Sequence, residues 1–121
     1  MIKIVRLRQK NENILLRHKL RTENNKVIAG VMTKIIAQGV DEGVFAVQEI
    51  PETAEIMAGI ISTYKETMNE LKLNPEQYED PAKLALQKNA ATQKAVERLL
   101  GAPTDSMPII DNETLIAWFT N

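Results

Sequence analysis

The chain has 121 residues, of which 44% are apolar and 26% charged, and it has no cysteine. This composition is typical of one folded globular domain, and it excludes disulfides, thiolate metal sites and cysteine nucleophiles. No apolar run approaches the roughly 18 residues of a membrane span, and the first ten residues are too charged for a signal peptide. We therefore expect a single cytoplasmic domain over residues 1–121 that does not enter a membrane.

Charge is unevenly distributed along the chain. Residues 1–26 have a charge balance of +6, and the remainder has a balance of −7. A basic segment is typical of a solvated helix face or of a nucleic-acid contact. This one has no aromatic residue to stack on bases and no DNA-binding motif, so the solvated face is favoured. Direct nucleic-acid binding would require an affinity that falls steeply with salt.

Two amphipathic segments occupy the first third of the chain. Residues 12–22 predict a short helix, and residues 26–38 predict a stronger one with a wide apolar face. Gly39 is expected to end the second helix with a positive φ. Residues 24–25 are asparagines, which are weak helix formers rather than breakers, so the two helices either stay separate or fuse.

The segment Gly39–Phe45 predicts a tight reversal. Gly39 and Gly43 bracket acidic and apolar residues, so Val44 and Phe45 are expected to turn inward. Gly39, Gly43 and Phe45 therefore form a structural joint in this prediction, with Phe45 buried. Replacing a buried Phe45 by alanine would cost about 3–5 kcal/mol.

A long helix is predicted from Pro51 to about Leu71, because proline suits the first helical turn and Glu52 complements the helix dipole. Its apolar stripe follows three- and four-residue spacing. The stripe consists of Met57, Ile60, Ile61, Tyr64, Met68 and Leu71.

A brief turn is predicted at Asn74–Pro75, and the pair Asp80–Pro81 predicts the start of another helix that Gly101 ends after Leu100. The narrow stripe of this helix contains alanines, which let a neighbouring helix approach closely. Asp111 is expected to cap a last short helix that folds back onto the body.

The sequence contains few candidates for chemistry. His18 is the only histidine, and a surface or partly packed role is favoured over metal binding. The acidic residues Glu49, Glu52, Glu55, Glu76 and Glu79 lie at helix starts, where the helix dipole alone favours negative charge. No phosphate loop, dinucleotide fingerprint or catalytic triad pattern occurs. We therefore expect a protein that is not an enzyme and has no metal and no cofactor.

Two segments of the chain resemble the ligand-binding half of TetR-family transcriptional regulators. The first follows the pattern IIxQGxxEGxF and then PExxA, with Ile35, Ile36, Gln38, Gly39, Glu42, Gly43, Phe45, Pro51, Glu52 and Ala54 in the matching places. The second is ERLLGAP at residues 97–103, which is similar to the end of the last long helix of the family. The resemblance covers about residues 11–108. The family's N-terminal helix-turn-helix has no counterpart in these 121 residues.

The resemblance implies an all-α antiparallel helical bundle in a bacterial repressor that forms a homodimer. It places the helices at about 52–72 and 82–100 in a four-helix dimer interface, and operator DNA would be bound only through the missing helix-turn-helix. The interface residues implied are Ile61, Tyr64, Met68, Leu84, Ala91, Ala95 and Leu99. The pocket for a small apolar effector of unknown identity would be lined by Met32, Ile35, Ile36, Phe45, Met57 and Ile60.

Two functions of different classes follow from these observations. In the first, the chain is the effector-binding and dimerisation region of a TetR-like regulator. In the second, it is a free-standing interaction module that dimerises with a full-length regulator. An in-frame helix-turn-helix upstream in the gene would favour the first.

Overall fold

The computed structural model describes the backbone of residues 2–120 and the side chains of residues 12–119. The helices are, in order, α1 (Ile2–Asp41), α2 (Ile50–Leu73), α3 (Pro81–Leu100) and α4 (Asn112–Thr120), with a 3₁₀ turn at Pro75–Gln77. No strand occurs in this part of the chain, which confirms the predicted all-α fold. Within the same residues, no helix combines the length and apolar character that crossing a membrane requires.

The two helices predicted in the first third of the chain are one helix, α1, of 40 residues. The asparagines at 24–25 do not interrupt it, because each costs only a fraction of a kcal/mol in a helix and no proline breaks the chain there. Arg21 of α1 pairs with Glu66 of α2, whereas Ile36 packs in one cluster with Ala54. The two helices are therefore antiparallel.

The end of α1 differs from the prediction in two respects. Gly39 lies inside the helix, which continues to Asp41, and the positive φ of 77° belongs to Gly43. The backbone N–H groups of Val44 and Phe45 both donate to the carbonyl oxygen of Gly39, at 2.9 and 3.1 Å. Phe45 turns inward and is largely but not fully buried, but the Val44 side chain is 53% exposed, so its predicted inward orientation is wrong.

The remaining helix ends agree with the sequence. Asp80 caps α3 by accepting a hydrogen bond from the Lys83 N–H at 3.1 Å, and Gly101 ends it with a φ of 64°. Asp111 caps α4 by accepting from the Thr114 N–H at 3.1 Å. Each cap satisfies a backbone group that the helix itself leaves unpaired.

Two apolar clusters hold the helices together. The first lies between the last turns of α1, the start of α2 and the end of α3, and its fully buried members are Ile36, Ala54, Met57, Val96 and Leu100. The second joins the end of α2, the start of α3 and α4 through Met68, Leu71, Ala85 and Leu115. The terminal segment therefore folds back onto the body as predicted. Helix α2 contributes to both clusters and is the central element of the fold.

Candidate functional site

A groove of about 530 Å³ follows the surface of α2 between α1 and α3, and we call it the central groove. Its floor and walls combine small, apolar and hydroxyl side chains with one basic residue from each flanking helix. The lining residues are Arg21, Ile56, Gly59, Ile60, Thr63, Tyr64, Thr67, Lys88, Ala91 and Thr92. Small side chains at Gly59 and Ala91 let another backbone approach closely, which is the condition for helix packing into such a groove.

Arg21 stands at the rim of the central groove. Its guanidinium lies 3.3 Å from a carboxylate oxygen of Glu66 and donates a hydrogen bond to the Thr63 hydroxyl at 3.4 Å. Both charged side chains are about half exposed, so the pair contributes little to stability in salt. Its effect is to fix the crossing of α1 over α2 at one point.

A buried polar network holds the far side of the groove. The Tyr64 hydroxyl donates to the Asn89 amide oxygen at 2.8 Å, and the Asn89 amide nitrogen donates to the carbonyl of Ile110 at 3.0 Å. Asn89 is only 3% exposed, and burial raises the pKa of the Tyr64 phenol. One side chain thus ties α2, α3 and the segment before α4 together.

A second polar anchor, Glu97, lies near the end of α3. Its buried carboxylate accepts hydrogen bonds from the Met107 N–H at 3.0 Å and from the Gln93 amide at 3.2 Å. Burial alone would raise the pKa of Glu97, but these bonds and those from the backbone of Asp105 and Ser106 hold it below its ordinary value. The carboxylate therefore fastens the loop after α3 in its ionised form.

The joint predicted at residues 39–45 extends to the end of α3. The Ala46 N–H donates to the carbonyl oxygen of Leu100 at 2.9 Å, and a β-carbon at Gly101 would lie within about 3 Å of Ala46. A β-carbon at Gly39 would overlap the Phe45 ring. Position 39 therefore requires glycine because the Phe45 ring approaches its backbone closely. The positive φ that the sequence suggested does not occur there.

The structure brings together five of the six residues predicted to line an effector site. Ile36 and Met57 are fully buried in the first apolar cluster, and three partly buried side chains pack against it. These three are Met32, Phe45 and Ile60. Ile35 departs from the set, because it is 47% exposed. Ile60 also lines the central groove, and the effector assignment itself stays a prediction.

The predicted interface residues divide between the groove and the protomer interior. Tyr64 and Ala91 line the central groove, and Ala95 is exposed one turn further along α3. Met68 is 6% exposed and belongs to the second cluster, beside partly buried Leu84. Ile61 and Leu99 are also partly buried.

A second groove of about 500 Å³ lies between α1 and the start of α2. The side-chain oxygen of Asn25, which lines it, is buried without a hydrogen-bond partner among the described residues. No group of three acidic, histidine or cysteine side chains in residues 12–119 is placed to hold a metal ion. His18 is exposed on α1.

Sequence reasoning assigned no role to Arg21, Asn89 or Glu97. A signal existed for Asn89, because it falls between Ala85 and Val96 on the apolar stripe of α3, where a polar residue needs a buried partner. Glu97 belongs to the segment ERLLGAP, but no local pattern indicated its hydrogen bonds, since the loop that it fastens lies ten residues away.

No known protein-family model, curated protein or solved structure matches this chain.

Proposed function

We propose that this chain is the effector-binding and dimerisation region of a TetR-like bacterial transcriptional regulator of the repressor type. The observation that carries the proposal is the meeting of the two segments on which the resemblance rests. QGVDEGVF and ERLLGAP are more than 50 residues apart in the sequence, yet Ala46, which directly follows the first segment, bonds to Leu100 and lies against Gly101. Residues that meet in one joint constrain one another. The two segments are therefore expected to occur together, as they do in the family pattern.

The joint is suited to transmitting a change of helix arrangement. It links the end of α1, the start of α2 and the end of α3, and the predicted effector residues pack directly beside it. An apolar effector that bound one arrangement of these helices better would shift the population toward it. In the regulator this shift would change the spacing of two DNA-binding heads, which belong to a domain outside these residues.

The central groove supports the dimerisation part of the proposal. Its row of small and apolar side chains on α2 and α3 suits a second copy of the same helices, which would form a four-helix bundle about a two-fold axis. Exposed Ile56 and the exposed alanines of α3 would then be covered.

Sedimentation velocity at micromolar concentration tests the interface. We expect a dimer for the unaltered chain and a monomer for Ala91→Glu, because the new carboxylate would lose its water inside the interface. Ala90→Glu is the matched control, since Ala90 is exposed on the same helix but does not line the groove. Equal behaviour of the two variants would remove the interface from the central groove.

The regulatory part has its own tests. Reading the gene upstream of codon 1 tests for an in-frame helix-turn-helix. A thermal-shift screen of small apolar compounds, repeated on Met57→Gln, tests the effector site: a compound that stabilises the unaltered chain should lose its effect on the variant. A compound that stabilises both equally would bind elsewhere.

A further inference from the structure

Residues 12–20 of α1, which we call the arm, have no cover on any side. Every side chain of the arm is exposed, including four large apolar ones at 54–68%. These are Ile14, Leu15, Leu16 and Leu20. Successive helical residues are rotated by about 100°, so Leu16 and Leu20 share one side of the helix while Ile14 and Leu15 point to other sides. Such a concentration of uncovered apolar side chains is typical of an interaction surface.

The arm is also basic and starts beside the central groove. Arg17 and Lys19 outweigh Glu12 within it, and Arg21, which lines the groove, follows directly. Among the described residues, Arg21 makes the first hydrogen bond from α1 to another helix. The arm therefore extends roughly 13 Å from the groove rim, at 1.5 Å per residue. A second copy seated in the groove would lie next to it.

The side of α2 that faces the groove has a carboxylate at each end. Helical spacing of three and four residues places Glu52, Ile56, Gly59, Thr63, Thr67 and Glu70 in one row. The four central members line the central groove, and both glutamates are exposed. Depending on its direction, a second copy presents either Glu52 or Glu70 of this row to the arm.

We propose that the arm of each copy packs on the α2 row of the other copy. The arm's leucines would cover the end of the row that the second copy's α2 and α3 leave exposed, and Arg17 and Lys19 would pair with the carboxylate at that end. Charge complementarity and continuity with the central groove select a second copy as the occupant. The inference rests on the dimer proposed above and adds a reciprocal contact to it.

A charge-swap experiment tests the arm in trans. One chain has Arg17→Glu with Lys19→Glu, and the other has Glu52→Lys with Glu70→Lys. Each homodimer would place like charges together, and only the mixed dimer would pair opposite charges at both arms. Random pairing of equal amounts of the two chains would make half of all dimers mixed. We expect native mass spectrometry at low salt to show a larger share of the mixed dimer, and each homodimer to have a dissociation constant about tenfold higher than that of the unaltered chain. A contact within one chain cannot produce this preference.

Lys26→Glu with Lys34→Glu is the matched control for the first chain. It changes the same charge on exposed residues of α1 outside the arm, so the overall attraction between the two chains is the same and any further preference of the arm pair comes from the arm. A mixed-dimer share for the arm pair that does not exceed the control's would overturn the proposal. Chains with Glu52→Lys alone or Glu70→Lys alone, each mixed with the first chain, then identify which end of the row the arm contacts.

The two proposals fail separately in these measurements. If Ala91→Glu gives monomers while the arm pair forms no more mixed dimer than the control pair, the arm contact is wrong and the groove interface stands. If Ala91→Glu stays dimeric while the arm pair forms more mixed dimer than the control pair, the groove interface is wrong and the arm stands. A monomeric unaltered chain overturns both. Circular dichroism confirms that each variant is folded before its dimer is measured.

Discussion

The contact between Gly39 and Phe45 predicts that one substitution has opposite effects in two backgrounds. A β-carbon at position 39 would overlap the Phe45 ring, so Gly39→Ala must displace the ring from the first apolar cluster. Because Phe45 is largely but not fully buried, this displacement costs about 3 kcal/mol, at the low end for a buried phenylalanine. The same substitution gains about 1 kcal/mol, since Gly39 has a helical conformation and alanine is the better helix former.

The net expectation for Gly39→Ala is a loss of about 2 kcal/mol in the unfolding free energy. Phe45→Ala should lose about 3 kcal/mol, at the low end of the range that the sequence suggested, because the ring is not fully enclosed. In the double variant the overlap is gone and the helix gain remains. Gly39→Ala should therefore stabilise the Phe45→Ala chain by about 1 kcal/mol, although it destabilises the unaltered one.

Urea unfolding followed by circular dichroism measures all four chains of this cycle. For a domain of this size, 1 kcal/mol corresponds to a change of about 4 °C in the melting temperature, so heat unfolding gives an independent value. Gly30→Ala, in the middle of α1 with open space around its Cα, is the control for the helix gain alone. An effect of Gly39→Ala with the same sign in both backgrounds would refute the packing argument.

Four further substitutions test the polar anchors and the cap of α3. Glu97 has a lowered pKa in the folded chain, so its contribution to the free energy of unfolding is present above its ordinary pKa of about 4.5 and is lost as the pH falls through the folded value. Acid unfolding of Glu97→Gln should lack this loss of stability. An acid-unfolding profile equal to that of the unaltered chain would contradict the argument. Asn89→Leu should lose about 1–3 kcal/mol in urea unfolding, because Tyr64 is left without its partner, and Tyr64→Phe should relieve part of that loss. Asp80→Ala should cost about 1 kcal/mol by the same measurement, with Glu79→Ala as an exposed control of no effect.

Helix positions could be predicted from the sequence where a local signal specifies them. Asp80, Gly101 and Asp111 each act through the three or four residues beside them, and the structure has all three in the predicted roles. The end of α1 was mispredicted by three residues for a related reason. Gly39 and Gly43 are both plausible helix stops, and the structure has the positive φ at Gly43.

Packing across the molecule could not be predicted in the same way. The apolar stripe of α2 includes Ile60, Tyr64 and Met68 at nearly equivalent helical positions, yet Met68 is enclosed by α4 whereas Ile60 and Tyr64 reach the central groove. Periodicity states which side of a helix is apolar, but it does not state which neighbour covers each part of that side. The sequence-based interface set therefore mixed residues of the groove with residues of the interior.

The residues that carry the family resemblance act on the backbone. Gly39 leaves room for the Phe45 ring, and Gly101 adopts a left-handed conformation beside Ala46. Glu97 holds the loop by accepting a hydrogen bond from the Met107 N–H. Such residues determine how helices meet, and they are compatible with any side chains in the adjoining cluster. Under the proposed function, ligand identity would depend instead on the shape of that apolar cluster, which no motif encodes. The pattern therefore leads to a proposal about architecture and regulation, and the thermal-shift screen would have to identify any effector.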